Sequence, residues 1–166
     1  MTLVGTINGD LHVAGALTAR ELQIPDGSLH DDGVAAAANI AASKLEHQWV
    51  KTFAQGSAVT AVDATQPIHV VHGTTGAVVA IEAGCVVACI GDSTVAIDLL
   101  LNGVSILTAP ISIDSGDAAY AKVGGAIDDG TLADGDVLEV DVDATVGTGT
   151  LGTGLFVAVT ITEKAA

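Results

Sequence analysis

The stretch IDLLLNGVSIL, residues 97–107, decides the fold class that this sequence predicts. Two apolar runs flank the pair Asn102-Gly103. An Asn-Gly pair between apolar strands favours a two-residue type I′ turn, because both central residues of that turn need positive φ. The stretch therefore predicts a β-hairpin.

Short segments with period-two alternation extend outward from this hairpin, from residue 57 to the C-terminal residues. Turn-forming clusters such as Gly73-Thr74-Thr75-Gly76 and Asp114-Ser115-Gly116 separate them. The predicted strands are residues 58–64, 68–72, 77–82, 85–90, 95–101, 104–108, 119–123, 137–142 and 155–162. Eight or nine short strands with no helix between them predict a mainly β domain, an antiparallel β-sandwich of jelly-roll type.

The first 55 residues have a different character. Residues 3–24 alternate apolar and polar residues with Gly at 5, 9 and 15, and so short a segment cannot bury its own apolar side chains. We expect an extended arm that needs a partner. The Ala-rich residues 34–50 predict a short helix with Asp31 or Asp32 as its cap. The chain thus divides into an arm or linker with a short helix, residues 1–55, and an acidic β-sandwich domain, residues 56–166.

The apolar residues of the chain are unusually small. Hydrophobic residues make up 49% of the sequence, mostly Ala and Val, whereas aromatic residues make up 2%. Aromatic side chains usually dominate core energetics, and each buries roughly 150–250 Å². We therefore expect stability to be shared with neighbouring subunits, the alternative being a lone, thinly packed domain.

The charge of the chain argues against two classes of partner. The formal charge is −15, and residues 56–166 contain fourteen acidic and two basic residues. Binding to nucleic acids or to anionic membranes requires Lys and Arg, so we expect neither partner. We also expect no secretory signal and no membrane span. Cys85 and Cys89 are expected to be buried free thiols, consistent with synthesis in a reducing cytoplasm.

No residue pattern predicts catalysis. The sequence has no G-x-S-x-G motif, and neither cysteine has a His and an acid at suggestive spacing. His69 and His72 are three apart, so on a strand they point to opposite faces. We expect a non-enzymatic protein without a cofactor.

Calcium is the one metal for which the sequence suggests a binding site. Asp128, Asp129 and Asp134 stand in closely spaced Asp-Gly turns, and calcium takes six to eight oxygen ligands. Their spacing does not match the twelve-residue calcium loop, and Asp is also an ordinary turn residue. The three residues are the calcium candidates, and turn formation is the alternative.

Three stretches resemble phage virion proteins of the capsid-decoration, head-fibre or tail-fibre kind. GTINGDLHVAGAL, residues 5–17, resembles the shaft-like N-termini of fibre proteins. IPDGSLHDDGVAAAANIAASKLEHQ, residues 24–48, resembles a linker in phage structural proteins, and DLLLNGVSILTAPISIDSGDAA, residues 98–119, resembles a hairpin of their β-domains.

The resemblance implies a homotrimeric capsid decoration or head-fibre protein on the virion surface, made in the host cytoplasm. Its N-terminal arm would bind the outside of the major capsid protein and stabilise the shell, with Leu3, Val4, Ile7, Leu11 and Val13 at the capsid or at the other arms. Ile40, Leu45 and Trp49 would dock the Ala-rich segment. The alternative is a fibre or adhesin that binds a receptor or carbohydrate through a loop such as residues 114–135.

Overall fold

The computed structural model describes residues 46–165, and the structural statements that follow concern this part of the chain. It contains ten β-strands and no helix within those residues. The strands are β1 His47–Ala54, β2 Ala64–Val70, β3 Thr74–Val87, β4 Thr94–Leu101, β5 Val104–Ser105, β6 Ile111–Ile113, β7 Val123–Gly125, β8 Thr131–Leu132, β9 Val137–Thr145 and β10 Thr153–Ala165.

The strands form two five-stranded sheets in which every neighbouring pair is antiparallel. The first sheet has the order β1-β10-β3-β7, and β8 also pairs with β3. The second has the order β2-β9-β4-β5, and β6 also pairs with β4. The predicted mainly β class and antiparallel pairing are confirmed.

Both sheets bury one face in the same apolar core. Alternate residues of β10 are buried, and so are alternate residues of β4 and β9, as the period of two requires. These residues are Leu155, Val157, Val159 and Ile161 in β10, Val95, Ile97 and Leu99 in β4, and Leu138, Val140 and Val142 in β9. Phe53 is the only buried aromatic side chain among residues 46–165, so the core consists of aliphatic side chains.

The hairpin predicted at Asn102-Gly103 is confirmed. Leu101 of β4 pairs with Val104 of β5, and the turn residues have φ of 53° and 79°. The Asn102 side chain also holds the neighbouring strand: its Nδ2 donates to Asp136 Oδ1 at 2.8 Å, and its Oδ1 accepts from the Val137 amide at 2.9 Å.

The predicted division into separate strands at residues 77–82 and 85–90 is wrong, because β3 runs unbroken for 14 residues through Gly84. Gly84 is needed for close packing instead of for a turn. A Cβ atom at this position would overlap the carbonyl oxygen of Ala121 and lie 2.6 Å from Cζ of Phe156. The glycine therefore leaves room for the Phe156 ring on the next strand.

The Ala-rich helix is not confirmed. Residues 47–50 of the predicted helix lie in β1, where each pairs with a residue of β10, and residues 34–45 lie outside the described part of the chain. The local composition favoured a helix, but Trp49 and Val50 suit a strand that pairs with the Val- and Ile-rich β10. The division into arm and domain stays a prediction, although residues 47–54 belong to the first sheet.

Candidate functional site

The outward side of the first sheet has little charge, and we call it the low-charge face. It consists of the residues that alternate with the buried ones, namely Gln48, Val50, Thr52 and Ala54 in β1, Ala80, Glu82 and Gly84 in β3, and Phe156, Ala158, Thr160 and Thr162 in β10. The one carboxylate on these strands, Glu82, accepts a hydrogen bond from Lys122 Nζ at 2.7 Å. At the edge of the face, Lys164 of β10 and Glu46, just before β1, line one cavity and balance each other's charge. The face therefore has no net negative charge.

The outward side of the second sheet is acidic, and we call it the acidic face. Asp98 in β4 and Glu139, Asp141 and Asp143 in β9 alternate there with buried neighbours. Asp98 lies directly opposite Asp141 in the strand register. The strands of this sheet contain no Lys or Arg. Like charges directly opposite each other destabilise a sheet. A face that carries charges of one sign also repels other acidic surfaces.

Three carboxylates in or beside the second sheet accept hydrogen bonds from it. Asp98 Oδ1 accepts from Ser105 Oγ at 2.8 Å, and Asp141 Oδ1 accepts from the Thr65 hydroxyl. Asp63, in the loop before β2, accepts from the Ala144 amide at 2.8 Å. These contacts hold the strands of the second sheet and the loop before β2 to one another.

Two of the three calcium candidates accept hydrogen bonds from backbone amides. Asp129 Oδ1 accepts from the Thr131 amide at 3.0 Å, and the hydrogen bonds of Thr131 lower the pKa of Asp129. Asp134 Oδ1 accepts from the Gly73 amide at 2.6 Å. Within residues 46–165, no three His, Cys, Asp or Glu side chains come together as a metal-binding group. Calcium binding at Asp128, Asp129 and Asp134 stays a prediction without structural support.

Trp49 is the one residue of the predicted docking set that lies in the described part of the chain. Its neighbours on β10 show that it is on the core side of β1, yet 47% of it is exposed because β1 is an edge strand. Lys51 Nζ lies 5.7 Å from the centre of its ring. Ile40 and Leu45, and the five arm residues Leu3, Val4, Ile7, Leu11 and Val13, lie outside the described residues.

A buried carboxylate that the sequence did not reveal joins the two sheets. Glu163 in β10 is 9% exposed, and its Oε1 contacts His69 Nε2 at 3.0 Å and accepts from Thr74 Oγ1 at 2.9 Å. Burial acts to raise the pKa of Glu163, but these hydrogen bonds and the charges of His69 and Lys51 lower it. His69 and Glu163 are 94 residues apart in the chain, so no local pattern could have predicted the pair.

Tyr120 combines exposure with an unfavourable backbone conformation. It has φ of 61°, its side chain is 68% exposed, and its amide donates to the Cys85 carbonyl at 2.8 Å. The left-handed region costs an L-residue roughly 1–2 kcal/mol. Strained residues cluster at functional sites, and this one lies in the predicted binding loop at residues 114–135.

Both cysteines lie in the core. Cys85 and Cys89 are free and buried, as predicted. Burial, with the nearby Cys89 and Asp117, raises the pKa of the Cys85 thiol to about 11. A thiol with a raised pKa is a poor nucleophile at neutral pH, because the thiolate is the reactive form.

No protein-family model matches the chain, and the search of curated proteins finds no matching sequence. Among residues 46–165, no helix is long and apolar enough to cross a membrane.

Proposed function

We propose that this chain is a non-enzymatic virion structural protein, a homotrimeric capsid decoration or head-fibre protein. Its N-terminal arm binds the major capsid protein on the outer surface of the shell, and its β-domain stands outside. Binding to the assembled shell stabilises that shell by mass action, because the arm has no equivalent partner on a dissociated capsid.

The order of strand pairing is the observation on which the proposal rests. β1 pairs with β10, β2 with β9, β3 with β8 and β7, and β4 with β5 and β6. The chain is thus a long hairpin folded about Asn102-Gly103, with successive pairs placed alternately in the two sheets. This order supports a jelly-roll sandwich, an architecture common in viral capsid and lectin domains. Because fold alone does not specify function, the proposal also uses the predicted arm.

The position of β1 supports a mechanical role. All eight residues of β1 pair with β10, from His47 opposite Glu163 to Ala54 opposite Phe156. A load on the segment before β1 enters the domain through this strand, which the ladder of pairing with β10 holds in the first sheet. An arm attached in this way can hold the β-domain on a shell.

The proposal is tested with capsids of the phage that encodes this chain, prepared after its gene is disrupted. Purified chain is added to mature shells, and cosedimentation and the temperature of DNA release are measured. We expect the chain to sediment with the shells and to raise the release temperature. The double variant Ile7→Asp and Leu11→Asp is expected to lose both effects.

A matched control separates the arm from the rest of the molecule. Val104→Asp adds a charge at an exposed apolar residue of the β4–β5 hairpin and is expected to bind shells like the unaltered chain. Failure of the unaltered chain to sediment with shells, or full binding by the arm variant, would contradict the proposal.

A receptor- or carbohydrate-binding fibre is the second candidate, and Tyr120 favours it. An exposed aromatic ring can stack on a sugar, and the strained backbone at Tyr120 fits a binding loop. A glycan array that compares the chain with Tyr120→Ser tests this candidate. Specific glycan binding that the variant loses supports the fibre function, whereas absence of any glycan binding by the unaltered chain argues against it.

A further inference from the structure

We infer that three copies of this chain associate through the low-charge face of the first sheet. The inference rests on the homotrimer in the proposed function and assigns the surface that forms it. The partner at this surface is a second copy of the chain, and the acidic face remains in water.

Charge decides which face can approach another copy. The acidic face presents four carboxylates and no cation on its strands, so two such faces repel each other. The low-charge face presents Glu82 already paired with Lys122, and at its edge Lys164 beside Glu46, so its charges balance. In a chain with a formal charge of −15, it is the sheet face that meets another copy without a net negative charge.

The side chains of the low-charge face suit close contact between sheets. Most are Ala, Thr, Gly or Val, which leave a flat surface, and packed sheets lie about 10 Å apart. Val50 of β1 is 61% exposed, and Val79, at the bulge of β3, is 52% exposed. Phe156 lies among them over Gly84 and supplies the aromatic residue that interface centres often contain.

Association through the β1 edge of the first sheet is less favourable than association through its face. Within residues 46–165, β1 forms one edge of this sheet, and its residue Lys51 pairs with the buried Val159, so the charged side chain starts on the core side of the strand. Inward-pointing charges on edge strands are a known protection against pairing between edges. The low-charge face has no such protection.

A copy of the chain fits this face better than a charged foreign partner does. A basic partner would prefer the four carboxylates of the acidic face. On the strands of the low-charge face that the structure describes, an acidic partner would find a single cation, Lys164, with Glu46 beside it. A second copy offers the same small, uncharged side chains. Three copies can turn this face toward a threefold axis, where one part of the face on each copy meets a different part of the face on the next copy and the ring closes.

The test is the solution mass of the full chain by light scattering, for the unaltered protein and two matched variants. Thr160→Glu adds a carboxylate to the low-charge face, and Thr94→Glu adds one to the acidic face; both residues are partly exposed strand threonines. We expect three times the chain mass for the unaltered protein and for Thr94→Glu. We expect one chain mass for Thr160→Glu, with an unchanged circular dichroism spectrum.

The possible outcomes test the assigned face and the homotrimer separately. A trimer that persists in Thr160→Glu overturns the assigned face and leaves the homotrimer standing. A monomeric unaltered chain overturns both the face and the trimer. If Thr160→Glu unfolds, Val50→Lys on the exposed edge strand tests the same face, and we expect one chain mass for it. A trimeric mass for Val50→Lys would overturn the inference.

Discussion

At the scale of single residues, Gly84 shows how close packing makes one side chain intolerable. Gly84→Ala would place a methyl group against the Ala121 carbonyl and the Phe156 ring, and overpacking of this kind costs about 1–3 kcal/mol. Gly124→Ala on the neighbouring strand is the control, since its Cβ would meet only the Ile81 carbonyl at 3.9 Å. Urea unfolding should show a lower free energy of unfolding for Gly84→Ala and almost no change for Gly124→Ala. Equal midpoints would refute the packing account.

The lowered pKa of Glu163 predicts how the stability of the fold depends on pH. Because the folded-state pKa lies below the usual 4.5, this carboxylate stabilises the fold fully above about pH 4.5. The contribution is lost as the pH falls through the lowered pKa. Glu163→Gln should therefore cost about 1–2 kcal/mol at pH 7, by loss of charged hydrogen bonds, and progressively less below pH 4.5. A pH-independent difference in unfolding free energy would contradict this.

The opposed carboxylates of Asp98 and Asp141 predict a stabilising substitution. Asp141→Asn keeps an oxygen that accepts from Thr65 but removes the like charge opposite Asp98, so stability at low salt should rise by roughly 0.2–1 kcal/mol. The gain should shrink at 1 M salt, where the screening length is about 3 Å. Asp129→Asn is the control and should not stabilise, because Asp129 accepts from the Thr131 amide. Thermal unfolding at two salt concentrations measures both.

At the scale of elements, the sequence predicted the strands that have local signals and missed those that depend on distant partners. The Asn102-Gly103 hairpin, β4 and β10 follow from turn chemistry and alternation. Residues 58–64 alternate as well, but they form mostly loop, with one bridge from Thr60 to Thr153. β1 was missed because its strand conformation depends on β10, more than one hundred residues later.

The candidate site was less predictable than the fold for the same reason. Alternation alone predicts which residues of a strand share a face, but it does not reveal that Asp98 lies opposite Asp141 or that His69 contacts Glu163. Both contacts depend on strand order, which pairs segments far apart in the chain. The predicted acidity of the β-domain therefore did not reveal that one sheet face is almost uncharged.

The β4–β5 hairpin has a role beyond its own turn. Asn102 bonds to Asp136 and to the Val137 amide, so the hairpin tip holds the start of β9. Asn102→Gly keeps the positive φ of the turn but removes both bonds, and it should cost about 1–3 kcal/mol. Chemical unfolding measures this loss. A variant as stable as the unaltered protein would show that the tip does not support β9.

At the scale of the whole molecule, our proposal joins charge and side-chain size into one assembly. Within residues 46–165 the core is aliphatic with one buried aromatic residue, and one sheet face has no net negative charge. In the proposed trimer that face meets neighbouring copies and the acidic face covers the exterior. We propose that the predicted arm, which precedes β1, joins this trimer to a shell.

The most direct test of this account is electron cryomicroscopy of mature capsids that lack the chain, imaged before and after purified chain is added. We predict new density on the outer surface after addition, with three β-domains around a common axis and their acidic faces outward. Shells that show no added density at saturating protein would contradict the central claim that this chain is a capsid decoration protein.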